Sequence, residues 1–320
     1  MPRSNRKDPK RSASSESQYS IMEFQKDFPN DDVCLEWLWR TRYAPDGEHA
    51  HCPKCDTERA FTKYATRQQR QSWTCTGCGL HIHPTSGTIF HKSSTALHLW
   101  FYAIYLITST RCGISAKQLE REIGVTYKTA WRMMNLIRTK LMAQDDITLS
   151  GKVEADETYI GGKPRYRQRK GRVRRIGRAT DKAPVFAMVE RKRKGRPGKV
   201  VALTVPNVKR SSLLGNLSKR VLPKSTVYTD ELNVYTGIDG KRYEHKRIHH
   251  SERVYVAGDV HTNTIEGFFS LVKRGLGGVY HSVSTKHLQS YLSEYAWRYN
   301  HRDGRAQFSA LILLAARIRV

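Results

Sequence analysis

Two sets of side chains in this sequence have types and spacings suited to chemistry: cysteine pairs early in the chain and scattered acids in its second half. Cys52 and Cys55 form one CxxC pair, Cys75 and Cys78 a second, and nineteen residues, Asp56 to Thr74, separate them. That spacing is expected when two cysteine turns fold back to close a tetrahedral site for one structural zinc ion. Gly77 and Gly79 stand where a knuckle turn needs unusual backbone angles. His51, His81 and His83 lie nearby as substitute ligands, but four thiolates already saturate zinc. Cys34 and Cys112 stand alone in apolar surroundings and read as packing residues.

The acids need a positional argument, because single aspartates are common. Asp156 lies at the end of a first predicted strand, in Glu-Ala-Asp-Glu-Thr, and Asp230 just beyond a fourth, in Val-Tyr-Thr-Asp-Glu. If these two strands pair in parallel, their ends bring two carboxylates to one edge of a sheet. Glu266, with thirty-five residues between it and Asp230, lies in the first turn of a helical pattern and could supply a third. Converging carboxylates repel unless cations lie between them, and oxygen ligands of this kind suit two Mg2+ or Mn2+ ions. Such a pair supports phosphodiester chemistry by in-line displacement, one ion activating a water or 3′-hydroxyl and the other stabilising the leaving oxygen. Asn263, three residues before Glu266, faces the same side and offers an amide oxygen as the alternative third ligand. Lys273 follows Glu266 by two helical turns, with Arg274 beside it, placed to hold DNA phosphate near the metals. His250 and His261 read as solvated or DNA-contacting.

Elements must carry these groups. Residues 1–18 are Ser-, Lys- and Arg-rich and predict a disordered basic tail. Helical periodicity from Ile21 to Arg42 offers Phe24, Phe28, Cys34, Leu35 and Leu38 as one buried face, packed beside a zinc ribbon; the two together fill 19–92. Helical patterns continue over 93–148. Within them, a short helix Ala116 to Ile123, a turn at Gly124 and a second helix from Thr126 spell a helix-turn-helix, its second helix presenting Lys128, Arg132 and Arg138 to DNA. Strands are predicted at Lys152–Asp156, Val185–Glu190, Val200–Val205 and Thr226–Thr229, with a helix near Ser211–Val221 and a longer one from Asn263. This order matches a ribonuclease-H-like α/β catalytic domain over 149–305, followed by a C-terminal helix over 306–320. The expected class is thus a multidomain α+β protein. Tyr291, Tyr295, Trp297 and Tyr299 recur at near-helical spacing as core residues, with Arg298, Asn300, His301 and Arg302 at the helix end as possible DNA contacts.

Composition sets the partner class. With 56 Lys plus Arg against 29 Asp plus Glu, the formal charge is +27 over 320 residues, an excess that calls for a polyanion. The apolar run around Leu97–Ile107 is too short to span a bilayer, which favours nucleic acid over a membrane. Nine of the sixteen residues from Lys163 to Arg178, and six of the nine from Arg191 to Lys199, are Lys or Arg. These runs read equally as solvated hairpin tips or as DNA-backbone contacts. The polar, basic N-terminus shows no secretory signal, so a cytoplasmic, nucleoid-associated protein is expected.

Taken in order, Cys-Pro-Lys-Cys, Cys-Thr-Gly-Cys, Ser-Gly-Thr-Ile-Phe (86–90), Gly-Ile-Ser-Ala-Lys-Gln-Leu (113–119), Tyr-Lys-Thr-Ala-Trp-Arg-Met (127–133), Asp-Glu-Thr-Tyr-Ile-Gly-Gly-Lys (156–163) and His-Thr-Asn-Thr-Ile-Glu-Gly-Phe-Phe (261–269) resemble the zinc-ribbon DDE transposases of prokaryotic insertion sequences. This is the insertion-sequence 1595 superfamily, to which the Merlin transposons of eukaryotes are related. The resemblance implies a ribonuclease-H-like domain, binding of terminal inverted repeats and target DNA, and work as a homodimer or larger assembly on paired ends. Asp156 and Asp230 correspond to the family's two aspartates. The third position varies between asparagine and glutamate, leaving Asn263 and Glu266 both open. Two other readings compete: a DNA-binding regulator with an inert enzyme domain, and a ribonuclease-H-type nuclease that cuts without joining.

Overall fold

A computed structural model describes residues 19–64, 71–110, 112–143, 146–161, 182–193, 197–248, 261–302 and 306–318. Contacts divide the chain into two compact units, Met1–Arg111 together with Arg302–Val320, and Cys112–His301. The boundary therefore falls inside the helical segment 93–148, and the C-terminal helix groups with the N-terminal residues.

In the first unit the pattern from Ile21 to Arg42 forms two helices where the sequence suggested one. Helix α1 (Ile21–Asp27) begins at a capping box in which the Ser20 hydroxyl accepts the Glu23 N–H and the Glu23 carboxylate accepts the Ser20 N–H. Pro29 lacks an N–H and cannot continue the ladder, and Asn30 starts α2 (Asp31–Arg42) by accepting the Val33 N–H. The five apolar residues expected on one face are all buried despite the break. Two further helices, α3 (Leu97–Ser109) and α9 (Gln307–Arg317), join this bundle, with Tyr19 stacked on Phe308 at 4.9 Å between ring centres. Helix α3 has no side-chain cap of its own. Asp31 supplies one from α2, accepting the N–H groups of Leu97 at 3.0 Å and His98 at 2.7 Å. Strands β1 (His49–Cys52), β2 (Thr57–Tyr64), β3 (Ser72–Cys75) and β4 (His81–Ile82) form an antiparallel sheet in chain order. Trp39 of α2 stacks on Trp73 of β3 at 4.9 Å, fastening helix to sheet.

The second unit opens with α4 (Ala116–Ile123) and α5 (Tyr127–Leu136), which runs on into a π-helical turn, Ile137–Leu141. Gly124 joins α4 to α5 at φ +65°, a left-handed conformation that glycine adopts without strain. A five-stranded mixed sheet follows, built from β5 (Lys152–Ile160), β6 (Ala183–Glu190), β7 (Val200–Thr204), β8 (Thr226–Thr229) and β9 (Glu244–Arg247) in spatial order β7-β6-β5-β8-β9. Strands β5, β6 and β7 pair antiparallel, while β8 and β9 add in parallel on the other side of β5. The short, charged β9 was not expected. Helix α6 (Arg210–Arg220) returns the chain from β7 to β8, and α7 (Asn263–Gly275) and α8 (Thr285–Asn300) come later.

Alternation along β6 shows how the layers form. Val185, Ala187 and Val189 pack in one cluster with Phe268, Val272 and Leu292 of α7 and α8. Phe186 and Met188 point the other way, into a cluster with Leu213 and Leu217 of α6. Both faces are covered, so this central strand is an almost unbroken apolar run rather than an alternating one. Each large aliphatic side chain buried there contributes about 1.5–3 kcal/mol. On β5, Val153 and Ala155 join the α6 side, which directs Glu154 and Asp156 to the face that carries α7.

Candidate metal centres and nucleic-acid interface

The four paired cysteines meet in the first unit. One Sγ atom from each of Cys52, Cys55, Cys75 and Cys78 lies within 4.8 Å of all the others. Cys52 Sγ lies 3.5 Å from Cys78 Sγ, and Cys55 Sγ 4.0 Å from Cys75 Sγ. Disulfides need about 2.05 Å, whereas a tetrahedron of bonds about 2.3 Å long spaces its sulfurs by roughly 3.8 Å. The cluster therefore has the size and donor set for a tetrahedral thiolate metal site. Backbone turns create it: Asp56 (φ +53°) and Gly79 (φ +72°) hold equivalent left-handed positions after each CxxC, their N–H groups returning to the Cys52 and Cys75 carbonyls at 2.8 and 3.0 Å. Protons are unevenly shared among the sulfurs. Burial opposes ionisation of Cys52, but the N–H groups of Cys55 and Lys54 and the neighbouring thiols bring its pKa down to about 6. Hydrogen bonding to Cys78, then burial, pushes Cys55 up to about 12. His81 turns instead to the Thr74 hydroxyl, 2.9 Å away, and His51 toward Asp56. Of the two single cysteines, Cys34 is buried as expected, but Cys112 is exposed and packs no core.

In the second unit, β5 and β8 pair in parallel with Glu154 opposite Tyr228. Two residues further along, this register sets Asp156 beside Asp230. The structure gathers Asp156, Asp230 and the neighbouring Glu157, one carboxylate oxygen from each within 4.8 Å of the others. Glu157 was missed because the strand was expected to end at Asp156 and a strand neighbour should point to the opposite face; β5 instead runs on to Ile160, and past its pairing with β8 Glu157 reaches the cluster. The Tyr235 hydroxyl holds it there, donating to Glu157 Oε2 at 2.8 Å. Asp230 accepts the Leu232 N–H at 3.0 Å.

Burial first, then the charges of Glu157, Asp230 and Glu266, push the Asp156 carboxyl up from 3.8 to about 7, against a lowering hydrogen bond from the Glu157 N–H. Crowded acids that retain a proton are those a cation would relieve. Glu266 belongs to the same field but not to the tight group; it is exposed on the first turn of α7 and accepts from the Thr262 hydroxyl at 3.1 Å. Asn263 is exposed on the same turn, and Lys273 and Arg274 are exposed further along, Lys273 Nζ lying 5.9 Å from the Phe269 ring centre.

Around α4 and α5 the basic side chains divide. Lys128 and Arg132 are exposed. Arg138 is not: its side chain is 2 % exposed and its Nε donates to Glu294 Oε2 at 2.7 Å. Expecting Arg138 at DNA is therefore corrected. Beyond Leu136 the helix passes into the π-helical turn, and Arg138 enters the interior, where its guanidinium lies 4.3 Å from the Tyr291 ring centre. Glu294 also accepts from Arg298 and from the Tyr280 hydroxyl. That bond makes Arg298 a buried ion-pair partner rather than a DNA contact. Burial opposes the Glu294 charge, but Arg138 and Arg298 more than offset it and hold the carboxyl below its ordinary range. A cavity of about 510 Å³ opens beside the hairpin, lined by Lys117, Arg121, Tyr127, Trp131 and His287 among others.

Arg191, counted with a basic run, is turned inward to Glu154. His261 also lies against this pair, its Nδ1 3.2 Å from Arg191 Nη2, rather than free in solvent. Lys163, the run Lys163–Arg178 and His250 lie outside the described residues.

Residues 148–300, which include the acidic cluster and α7, match the ISXO2-like transposase domain. An uncharacterized protein in transposable element ISH50 of Halobacterium salinarum is 34% identical over 257 residues, covering 78% of this chain and 84% of that protein. An uncharacterized transposase-like protein of Haemophilus influenzae is 34% identical over 113 residues, 35% of this chain and 90% of its own length. Among the described residues, no helix is long and apolar enough to cross a membrane. With a relative matched along most of both lengths and the domain match falling on the acidic cluster, the chain belongs to the ISXO2-like transposase family of insertion sequences.

Proposed function

We propose that the protein binds the terminal inverted repeats of its element, cleaves the adjoining phosphodiester bonds and joins the freed ends to target DNA. The observation that carries this reading is the meeting of Asp156 and Asp230 just past the point where the parallel pairing of β5 with β8 ends. The strand order, three antiparallel strands with two parallel additions beside the first, supports a ribonuclease-H-like domain. Asp156, Asp230 and a third group, drawn from Glu157, Glu266 and Asn263, offer hard oxygen donors suited to Mg2+ or Mn2+. Two such ions, when bound, supply activation of a water or 3′-hydroxyl and charge neutralisation at the leaving oxygen. Asp156 must give up its proton to join that site. Lys273 and Arg274 on α7 hold the phosphates on either side of the scissile bond. Lys128 and Arg132 sit on the outer face of α5, the second helix of a helix-turn-helix, and reach the repeat. A zinc ion in the cysteine cluster fastens β1 to β4 as a ribbon that adds contacts to the DNA end. Lys163 and the basic run that follows it contribute further backbone contacts. Because an element has two ends, a homodimer or larger assembly pairs them.

The test uses labelled duplexes carrying the sequences that bracket the coding region, with Mg2+ and a target plasmid. Cleavage to 3′-hydroxyl ends followed by joining is the expected result. Cleavage without joining indicates a nuclease, and binding alone a regulator. Asp156→Asn is expected to abolish cleavage while end binding, measured by gel shift, stays within about two-fold of wild type, since one lost carboxylate removes metal affinity and not phosphate contacts. Normal cutting by this variant contradicts the site.

A further inference from the structure

We infer that Glu154 is a positioning residue: it locks the first turn of α7 onto β5 and so fixes the reach of Glu266 and Asn263 toward Asp156, an inference that rests on reading Asp156 and Asp230 as the metal-holding pair. Glu154 stands two residues before Asp156 on the same face of β5 and is wholly buried. A carboxylate taken fully out of water is costly unless its oxygens are matched, and these are matched by the helix. Thr262 gives α7 no side-chain cap. Glu154 provides one, accepting the Ile265 N–H at 2.9 Å and the Thr264 hydroxyl at 2.8 Å. These partners immediately precede Glu266 in the chain.

Arg191 completes the lock. Its Nε donates to Glu154 Oε1 at 2.6 Å, and its Nη2 donates to the His261 carbonyl at 2.5 Å, at the entry to α7. Its guanidinium also lies 4.0 Å from the ring centre of Tyr228, the residue opposite Glu154 and two before Asp230. One ion pair thus touches all three acid-bearing elements, β5, β8 and α7, one layer beneath the acids. Packing alone does not require a charge here, because an apolar side chain would fill the space without the desolvation cost. Accepting from Arg191, Thr264 and Ile265 at once uses both oxygens of a carboxylate. Groups that orient metal ligands in this way change affinity or rate by about 10- to 100-fold when altered.

The full-length protein tests this through its cleavage rate as a function of Mn2+ concentration, for wild type, Glu154→Gln, Thr264→Val and Asp156→Asn. Glutamine keeps the shape but turns an amide N–H2 toward a donor, and valine removes one bond only. Glu154→Gln is expected to cleave about 10- to 100-fold more slowly, with its Mn2+ half-saturation shifted upward, partial rescue at high Mn2+ and unchanged end binding. Thr264→Val should show the same shift, smaller. A general loss of folding lowers the active fraction without moving the Mn2+ midpoint, and that outcome, or wild-type behaviour, overturns the inference. Should Glu154→Gln fail to fold, the Thr264→Val midpoint decides by the same criterion. If Asp156→Asn is inactive while Glu154→Gln matches wild type, the positioning role alone is lost. If Asp156→Asn cuts normally, the metal-site reading fails and the inference falls with it.

Discussion

At Asp156 two demands conflict, since folding buries the carboxyl among other acids while the proposed metal chemistry needs it ionised. Its pKa is raised from 3.8 to about 7, so the native protein holds a proton where the unfolded chain has released it. The sign follows: this group's contribution to stability is full below the unfolded value and is lost as pH rises through about 7. A divalent cation should reverse the loss, because binding displaces the proton. The increase in melting temperature given by Mg2+ or Mn2+ is therefore expected to grow as pH is raised from 5 to about 8 in a thermal-shift titration, and cleavage to rise over the same interval. A metal-induced shift that is flat across that range in wild type contradicts the assignment of the proton to Asp156. At this scale much was legible. Asp156 and Asp230 stood out because each follows a short strand pattern, and the cysteines because their spacing has few other uses. Glu157 and Glu154 could not, since whether an acid beside a known one points to solvent, to a metal or to a helix terminus depends on chain far away in sequence.

Elements in this protein are joined by charged groups reaching across the fold. Asp31 caps α3 from α2, and Glu154 caps α7 from β5. Arg138 and Glu294 join the end of α5 to α8 through a pair with almost no solvent exposure. Breaking that pair by removing Arg138 takes away one of the two cations that balance the buried Glu294 charge, Arg298 being the other, which costs up to about 3–5 kcal/mol. Arg138→Ala is therefore expected to lower stability by that amount in denaturant titration, whereas Arg132→Ala, on the exposed face of α5, should leave stability within about 0.5 kcal/mol and weaken DNA binding instead. Equal stability of the two variants contradicts the assignment. Helix α5 also shows what periodicity can tell. Its existence, its start near Thr126 and the Gly124 turn followed from local sequence, because helical periodicity and left-handed glycine are local physics. The inward turn of Arg138 did not, since it depends on a π-helical turn and on a carboxylate 156 residues later. Likewise Glu-His-Lys-Arg at 244–247 has no apolar alternation, and β9 forms only because β8 leaves an edge for it.

For the whole molecule, charge and metal are the two controls. An excess of +27 on 320 residues predicts DNA binding dominated by phosphate contacts, with log affinity falling by about 0.9 per unit of log salt for each phosphate neutralised. Affinity measured between 50 and 200 mM salt should drop steeply; a value unchanged over that range speaks against the basic surface as the binding face. Purified protein should carry about one zinc per chain by mass spectrometry. Cys75→Ser should lose it and melt at lower temperature, because the ribbon's strands are too short to hold together without their metal. The account as a whole depends on Asp156 and Asp230 holding a shared divalent ion, and Mn2+ binding followed by electron paramagnetic resonance tests that most directly. Wild type should sequester Mn2+, and Asp156→Asn and Asp230→Asn should each release it to the same free signal. Undiminished binding by either single variant would contradict it.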